Sequence, residues 1–416
     1  MRVISSESAP PGSMAPVPSR ELRDAIPSPS AAFAAQGSFP GGAVGFITYE
    51  RGTLLEEVLP REPPPLCPQV WFGIYDTFAR ANPELDELEI VSWGLREDGS
   101  FDPAAATARA TRLEDALLSP DAALHAAAGG FADGPATCTL DRTGHEARVR
   151  EILRSIRRGD IYQANLTALF GVPVSGDPAA LFERLLRDNP APCSAFVEAD
   201  GATVVSSSPE TLLECRGRTA TTRPIKGTRP RDPDPLRDRV LARELTASRK
   251  DRAELVMITD LARNDLGRVC EFGSVQTSSL AALESFPHVH HLVSTVTGRM
   301  KPGLDALNAL EAVFPCGSIT GAPKRRAMEI LRVLEPAARG VYTGTVGWLG
   351  FDRSARFSVA IRTGVVRNGI LHHGAGGGIV IDSSPEAEWD ELILKTKAFR
   401  LALEPETTDH FAERTT

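Results

Sequence analysis

The sequence predicts a mixed α/β (α+β) fold in which antiparallel sheets pack against helices. Short runs typical of strands follow one another in pairs, whereas a doubly wound parallel sheet would alternate each strand with a helix. Apolar residues make up 42% of the 416 residues, which is enough to bury a sizeable core. The strand-like runs span residues 202–207, 212–215, 345–351, 356–362 and 370–373.

The chain divides into four stretches. Residues 1–30 are rich in Ser, Pro and Ala and lack an apolar period, so we expect a flexible N-terminal tail with little part in the fold. Residues 31–136 are predicted to form an N-terminal lobe of short strands that ends in an alanine-rich helix and connection. Residues 137–405 carry the clearest structural signals, and residues 406–416 form a C-terminal tail.

Helix signals are strongest after residue 137. Thr143 and Glu146 fit a capping box, and the apolar residues that follow lie on one helical face until Gly159 ends the helix. Further helices are predicted over residues 178–188, 248–265 and 304–314, and from Pro323 onward.

Composition excludes several classes of function. The net charge is −8 and only 6% of residues are aromatic, whereas a nucleic-acid binder normally presents a basic face. No apolar run approaches the roughly 18 residues of a membrane span. The six cysteines are scattered without a CxxC pair, which is typical of reduced thiols in a cytoplasmic protein. We therefore expect neither nucleic acid nor a membrane as a partner.

Two stretches carry candidate functional groups with simple alternatives. Lys226 lies beside Gly227 between two prolines, so its ammonium is suited to bind an anion or, with a lowered pKa, to act as a nucleophile. The alternative is a basic surface loop. Glu254 belongs to a helix with an apolar face, and such a carboxylate is commonly solvated or paired with a nearby arginine.

A third stretch combines glycines with charged residues. Three consecutive glycines at 376–378 would let backbone N–H groups approach an anion closely, in a nest-like arrangement. On the helix that follows, Glu388, Glu391 and Lys395 share one face. Two carboxylates with open positions suit Mg²⁺ shared with an anionic substrate, and the alternative is a solvated charged face. His291, in the sequence HVHH, is better suited to a polar role in a cleft than to zinc binding.

In their order along the chain, these segments resemble the chorismate-utilising enzymes. This family includes anthranilate synthase component I, aminodeoxychorismate synthase component I, isochorismate synthase and salicylate synthase. The resemblance covers about residues 140–400 and implies a large fold of two facing antiparallel β-sheets surrounded by helices, to which the N-terminal lobe contributes strands. The matching text is GDIYQANLT, SSSPETLL, RPIKGTRPR, DRAELVMITDLARNDLGRVC, HHLVSTVTG, FPCGSITGAPKRRAMEIL, VYTGTVGW, FSVAIRTG and GAGGGIVIDSSPEAEWDE.

The resemblance implies a role for each site residue. Mg²⁺ would be bound by Glu254 and Glu391, with Glu388 acting through water. Lys226 would be the nucleophile and Glu210 the general acid, while His291 matches a cleft histidine of members that eliminate pyruvate. The carboxylates of chorismate would meet Gly227, Thr228, Tyr342, Arg362, Gly376, Gly377, Gly378 and Lys395.

Two positions indicate which member of the family the chain resembles. Isochorismate and salicylate synthases carry a lysine base where this chain has Gln163, so water addition is not expected. Lys226 stands where anthranilate synthases usually have alanine, which resembles aminodeoxychorismate synthase component I. Because the sequence holds no Gly-x-Cys-x-Gly nucleophile elbow, a separate glutamine amidotransferase subunit would supply ammonia. The alternatives are anthranilate synthase component I and a non-catalytic chorismate-binding protein.

Overall fold

The computed structural model describes residues 2–5, 17–27, 39–62, 66–82, 85–119 and 129–404. The predicted C-terminal tail lies outside these residues. The strands are β1 (Arg2–Ser5), β2 (Gly42–Ile47), β3 (Val70–Tyr75), β4 (Thr77–Asn82), β5 (Glu87–Ser92), β6 (Gly129–Ala132), β7 (Thr137–Cys138), β8 (Gln163–Gly176), β9 (Cys193–Ala199), β10 (Ala202–Ser208), β11 (Thr211–Arg216), β12 (Thr219–Arg223), β13 (Ile225–Pro230), β14 (Gln276–Ser285), β15 (Val289–Arg299), β16 (Gly321–Ala322), β17 (Thr345–Gly350), β18 (Ala355–Val359), β19 (Thr363–Arg367) and β20 (Ile370–Ile379).

Helices alternate with groups of these strands, and a short 3₁₀ turn spans Leu54–Glu56. No helix among the described residues combines the length and apolarity needed to cross a membrane. The helices are α1 (Ser19–Ala25), α2 (Tyr49–Thr53), α3 (Pro103–Leu118), α4 (Arg142–Arg157), α5 (Pro178–Asp188), α6 (Pro235–Ala247), α7 (Arg249–Val269), α8 (Ala306–Val313), α9 (Gly317–Thr320), α10 (Lys324–Leu334), α11 (Pro385–Lys395) and α12 (Lys397–Leu403).

Most strands belong to two large antiparallel sheets. The ten-stranded sheet has the order β1-β3-β2-β17-β18-β11-β12-β15-β13, and β14 pairs with the other edge of β15. The eight-stranded sheet has the order β16-β8-β20-β19-β10-β9, with β6 and β7 also paired to β8. The strands β4 and β5 form a separate hairpin. Because β2 and β3 from the N-terminal lobe continue the sheet of β17 and β18, the lobe is part of the larger sheet.

The two sheets face each other across a shared apolar core. Phe46 and Trp71 project from the larger sheet, and their rings stack 6.4 Å apart. They belong to one buried cluster with Val204 and Val365 from the smaller sheet. Burial of these side chains from both sheets holds the layers together. The fold is therefore the predicted mixed one with two facing antiparallel sheets.

Helices cover the outer faces of both sheets. Residues of α7 and α8, such as Leu266 and Leu310, join the large core behind the ten-stranded sheet. Against the other sheet, α4 and α10 pack through Ile152 and Leu331, and α11 packs through Leu392. The helix α11 thereby lies against β20, which brings its charged face close to the glycines of that strand.

The predicted tail over residues 1–30 takes more part in the fold than expected. Strand β1 pairs with β3 at the edge of the large sheet, and Leu22 of α1 is fully buried in the core. The prediction of a tail with little part in the fold is wrong for these residues. A seven-residue helix among prolines shows too short an apolar period to detect in the sequence.

The start of α4 also differs from the prediction. The N-cap is Asp141, whose side chain accepts a hydrogen bond from the backbone N–H of Gly144, so Thr143 lies inside the helix. The Asp141 side chain satisfies an N–H group of the first turn two residues before Thr143, so the helix begins earlier than predicted. Elsewhere the helix bounds agree closely, and α5 covers the predicted 178–188.

Candidate active site

Lys226 lies on β13 at a bulge that changes the direction of its strand. Lys226 pairs with Leu292 and Thr228 pairs with His291, so Gly227 is an extra residue between them. Gly227 has φ +77°, and a Cβ there would lie 2.9 Å from Cβ of Asp251. Glycine is therefore the residue that this bulge requires, and bulges of this kind commonly redirect side chains near active sites.

Glu210 is a buried carboxylic acid close to Lys226. It lies in the connection between β10 and β11 and is 3% exposed. Burial raises the pKa of Glu210 to about 7, although a hydrogen bond from Ser318 and the positive charge of Lys226 oppose that rise. Its Oε1 has no hydrogen-bond partner among the described residues. Such a group is partly protonated near neutral pH and is able to donate a proton.

The glycines at 376–378 lie in an extended strand, so the predicted nest-like arrangement of their N–H groups is wrong. They belong to β20 and pair with Thr167, Leu166 and Asn165 of β8. A continuous ladder with β8 keeps them extended, and no positive φ is found for any of them. On the other edge of β20, the pairing with β19 ends at His373. Among the described residues the glycines therefore pair with β8 alone.

The glycines leave space that side chains would fill on both faces of β20. A Cβ on Gly377 would lie 2.9 Å from Oε2 of Glu388. A Cβ on Gly378 would lie 3.0 Å from Nε2 of Gln163 and 3.4 Å from Nζ of Lys226. The strand of glycines therefore lets Glu388 approach one of its faces and lets Gln163 and the Lys226 ammonium approach the other.

Three carboxylates form the acidic side of this region. Burial raises the pKa of Glu254, and the negative charge of Glu391 contributes to that rise. Glu388 is buried and accepts a hydrogen bond from Ser383 at 2.6 Å, and burial together with Glu391 raises its pKa. Burial also acts on Glu391, but the hydrogen bond and charge of Lys395 outweigh it and lower the pKa of Glu391.

These carboxylates suit a bound cation, because carboxylate oxygens are ligands of hard cations and because a cation would offset the repulsion between their negative charges. In the part of the chain that the structure describes, no three His, Cys, Asp or Glu side chains are grouped as a complete metal site. Mg²⁺ does not need such a group, because it usually keeps several waters and takes one or two protein carboxylates plus a substrate oxygen. Glu254 and Glu391 are the residues that would hold it, and Glu388 lies beside them.

His291 and Arg362 form the other side of the site with Thr228. Nδ1 of His291 lies 2.9 Å from Oγ1 of Thr228 and 3.4 Å from the carbonyl oxygen of Gly227. Burial and the charge of Arg362 lower the pKa of His291 to about 4, so its ring is neutral at pH 7. Its Nε2 is buried without a partner among the described residues. The Arg362 guanidinium forms no ion pair or hydrogen bond with another of the described residues.

Tyr342 marks the edge of the site and also lines a separate cavity. Its ring lies against Gly374, where a Cβ would approach Cδ1 to 2.2 Å. The cavity has a volume of about 380 Å³ and is lined by Tyr342 and Thr363, but by none of the carboxylates or Lys226. This cavity therefore lies beside the charged region and does not coincide with it.

Three residues add to the site beyond those predicted from the sequence to bind ligand. Gln163 is fully buried, and neither amide atom has a partner among the described residues. Lys250 lies 3.9 Å from Oε1 of Glu254 and acts on all three carboxylates. Ser318 hydrogen-bonds Glu210. In the sequence, Gln163 and Ser318 lie in two of the matching motifs, and Lys250 is four residues from Glu254.

The arrangement combines a proton donor, an amine, several cations and a pair of carboxylates suited to a divalent metal. Lys226, Arg362 and Lys395 favour an anionic ligand, and the unpartnered atoms of Gln163, Glu210 and His291 need hydrogen bonds that such a ligand would supply. The chain as a whole has a net charge of −8, but this region brings Lys226, Lys250 and Lys395 together with its carboxylates. The site therefore suits acid-assisted chemistry on a small polyanion.

Comparison with known proteins identifies the group of enzymes that shares these features. The model of the chorismate binding enzyme family matches residues 7–401. Anthranilate synthase component 1 of Streptomyces coelicolor is 40% identical over 375 residues, covering 88% of this chain and 73% of that protein. Aminodeoxychorismate synthase component 1 of Bacillus subtilis is 37% identical over 373 residues, covering 88% and 77%. The crystal structure of anthranilate synthase component I from Streptococcus pneumoniae has a TM-score of 0.82 at 30% identity and covers 92% of this chain and 85% of that one.

Proposed function

The chain belongs to the family of chorismate-binding enzymes, and on that premise we propose that it is an aminodeoxychorismate synthase component 1. The reaction converts chorismate and ammonia to 4-amino-4-deoxychorismate and water. Relatives of similar identity carry both this name and that of anthranilate synthase component 1, so the choice rests on the residues of the site.

The observation that carries the choice is the placement of Lys226. The Gly227 bulge directs its side chain toward Gly378, and it acts electrostatically on Glu210 on one side and on Glu254 and Glu391 on the other. Nζ has no hydrogen bond or ion pair recorded among the described residues. An unpaired amine in this position is suited to covalent chemistry, whereas a purely structural lysine would be paired with a carboxylate.

Lys226 and Glu210 would act together in the first half of the reaction. The Lys226 ammonium first gives a proton to solvent. Its amine then forms a bond to C2 of chorismate, the double bonds shift, and the C4–O bond breaks. Glu210 gives its proton to the departing hydroxyl, which leaves as water. The product of this half is a secondary ammonium that joins Lys226 to the ring.

Ammonia completes the reaction in the second half. It forms a bond to C4, the double bonds shift back, and the C2–N bond to Lys226 breaks to release the neutral amine. The new C4 ammonium then gives a proton to the Glu210 carboxylate, and the Lys226 amine regains its proton from solvent, which returns the site to its starting state. Two displacements leave the amino group on the carbon that carried the hydroxyl.

Cationic groups would bind the two carboxylates of chorismate. Arg362, Lys395, Tyr342, Thr228 and the strand of Gly376–Gly378 supply donors, and Gly227 gives backbone access. Mg²⁺ bound by Glu254 and Glu391, with Glu388 near it through water, would stabilise negative charge on the ring carboxylate. In this proposal chorismate and the metal share one charged region.

A separate amidotransferase subunit would deliver ammonia from glutamine. The relatives named as component 1 of a synthase support this expectation. The chain by itself should use free ammonia, so its chemistry is testable without the partner.

The experiment is incubation of the purified protein with chorismate, MgCl₂ and ammonium chloride, followed by chromatography with mass detection. We expect 4-amino-4-deoxychorismate and no pyruvate. Formation of fluorescent anthranilate and pyruvate in equal amounts would reject the proposal. Chorismate left unchanged with every nitrogen source would instead indicate a non-catalytic binding protein.

Anthranilate synthase component 1 is the second candidate, and His291 is the observation that favours it. A neutral imidazole with a buried, unpartnered Nε2 is suited to take a proton from the ring during pyruvate elimination. Replacing His291 with alanine separates the two functions. The variant of an aminodeoxychorismate synthase keeps its product, whereas that of an anthranilate synthase loses anthranilate formation and accumulates an aminated ring that retains its enolpyruvyl group.

A further inference from the structure

Arg339 is a buried cation that has no role in the mechanism proposed above. It lies in the connection between α10 and β17, and it is 3% exposed. Its guanidinium forms two hydrogen bonds to the carboxylate of Glu335, at 2.9 and 2.7 Å. The guanidinium carbon Cζ lies 4.4 Å from the centre of the Tyr49 ring. The charge of Arg339 acts on Tyr342, but none of its hydrogen bonds within the described residues goes to a residue proposed to bind chorismate.

The remaining guanidinium donors bind three other segments of the chain. Nη1 donates to the carbonyl oxygen of Ile319 at 2.8 Å and, at 3.4 Å, to Oγ1 of Thr343. Nη2 donates to the carbonyl oxygen of Asn165 at 2.8 Å. All five N–H groups of the arginine therefore have acceptors, in the planar geometry that a guanidinium fixes.

Each of the three bound segments carries a group of the proposed site. Asn165 pairs with Gly378 across β8 and β20. Ile319 follows Ser318, which hydrogen-bonds Glu210. Thr343 follows Tyr342 and has φ +62°, a strained value for a β-branched residue that needs support from its surroundings. One side chain thus joins the segments on which the glycine strand, the proton donor and the tyrosine depend.

The partners of Arg339 are themselves held in place. Oε1 of Glu335 also accepts from the backbone N–H and the hydroxyl of Thr167, at 3.0 and 2.8 Å. The carboxylate of Glu50 accepts from the backbone N–H of Arg339 at 2.7 Å and from that of Gly340 at 3.1 Å. The guanidinium therefore acts between fixed points and leaves little freedom to the segments it binds.

We propose that Arg339 is a positioning residue for the chorismate site, aligning β8, the start of α9 and the Tyr342 turn without contacting the substrate. A buried ion pair is a poor source of stability, because its desolvation cost offsets most of its attraction. Its distinctive contribution here is geometry, since catalytic sites need groups held to within about 0.5 Å. The inference rests on the proposed use of chorismate but not on which carbon is aminated.

The test compares Arg339→Lys with Arg184→Lys. Arg184 is a matched control: it is 7% exposed, donates to the carbonyl oxygen of Ala402 at 2.5 Å and lies 4.6 Å from the Phe131 ring centre. It joins α5, α12 and β6, none of which carries a site residue. Lysine keeps the charge at both positions but has three donors on a flexible stem and cannot reproduce the planar set.

The measurements are the dissociation constant for chorismate in MgCl₂ without ammonia, from intrinsic fluorescence, and the melting temperature of each variant. We expect Arg339→Lys to weaken chorismate binding at least about tenfold and Arg184→Lys to change it less than about twofold, with comparable losses of melting temperature. Equal effects of the two substitutions on binding, or normal binding by Arg339→Lys, would overturn the inference.

A second variant decides the question if Arg339→Lys does not fold. Glu335→Gln keeps the shape and one acceptor for Arg339 but removes the charge that orients its guanidinium. We expect it to weaken chorismate binding at least about threefold, and unchanged binding would reject the positioning role. Failure of the wild-type protein to bind chorismate at all would reject the proposed function, an outcome separate from both.

Discussion

Nζ of Lys395 lies 2.7 Å from Oε1 of Glu391 and 2.7 Å from the carbonyl oxygen of Gly376. One ammonium thus connects a proposed metal ligand to the proposed substrate strand. Both side chains are nearly half exposed, at 43% and 49%, so this contact exchanges readily with solvent and ligands. A divalent cation bound to Glu391 would free Lys395 for a carboxylate of the substrate.

Glu391→Gln is expected to raise the Mg²⁺ concentration for half-maximal activity at least about tenfold, because an amide is a much weaker ligand than a carboxylate. The same variant should show weakened Mg²⁺ binding by calorimetry in the presence of chorismate. Glu386→Gln is the matched control, since Glu386 starts the same helix and pairs with Arg150 at 3.4 Å on the surface. A normal metal response from Glu391→Gln would contradict its assignment as a ligand.

Lys226→Ala is expected to lower the rate of 4-amino-4-deoxychorismate formation at least about 1,000-fold, since the covalent step needs an amine. Product should be quantified by mass detection with ammonium chloride as the nitrogen source. Lys301→Ala serves as the control, because Lys301 is exposed and its ammonium donates to the carbonyl oxygen of Arg268, away from the site. Retention of wild-type rates by Lys226→Ala would exclude a covalent role.

The pH dependence of catalysis should report the buried Glu210. Its pKa is raised to about 7 by burial, so the protonated form needed for the first step declines as the pH rises through 7. We expect kcat/KM for chorismate to fall on this alkaline limb. Glu210→Gln should lose activity at every pH, and a residual activity with an unchanged alkaline limb would show that another group titrates.

The same burial makes a prediction about stability. A carboxyl whose pKa is higher in the folded state than its ordinary value of 4.5 binds its proton more tightly when folded, so stability is lost as the pH rises from about 4.5 to about 7. Glu210→Gln removes this loss. The stability of the variant relative to wild type should therefore be greater at pH 8 than at pH 5, on the order of 1–3 kcal/mol in unfolding free energy. The measurement is the difference in melting temperature between the two proteins at each pH. An equal difference at both pH values would be inconsistent with a buried titrating Glu210.

Gly378→Ala is expected to weaken chorismate binding about tenfold while leaving the fold intact. The added methyl group would lie 3.0 Å from Nε2 of Gln163 and 3.4 Å from Nζ of Lys226, in space that the ligand needs. Gly267→Ala is the control, because it lies inside α7 with nothing within 4 Å of the new Cβ. That control should bind normally and gain up to about 1 kcal/mol of stability, since alanine favours a helix. Normal binding by Gly378→Ala would mean that the glycine strand does not line the substrate site.

Local patterns in the sequence were sufficient for the features that depend on neighbours along the chain. The predicted bounds of α5 agree with the structure, and the two-sheet fold is the one that the family resemblance implied. The glycine run at 376–378 suggests a nest-like arrangement but is extended, because its conformation depends on pairing with β8, about 200 residues earlier in the chain. Glycine is compatible with both conformations, so the residues themselves do not decide.

The Arg339 contacts could not have been predicted in the same way. The spacing of Glu335 and Arg339 fits an ordinary surface pair at i,i+4, but the structure buries both and adds Asn165, Ile319 and Glu50 from distant segments. Which acceptors a guanidinium finds is set by the packing of the two sheets. That packing is a property of the whole chain and leaves no local signal.

Gly227 separates the identity of residue 226 from the integrity of the sheet. The bulge absorbs the irregularity in β13, and the backbone of residue 226 pairs with Leu292 whichever side chain it carries. A single substitution there exchanges the reactive group while the ladder and the core remain as they are. Divergence of reaction type within such a scaffold therefore needs few mutational steps and little compensating change elsewhere.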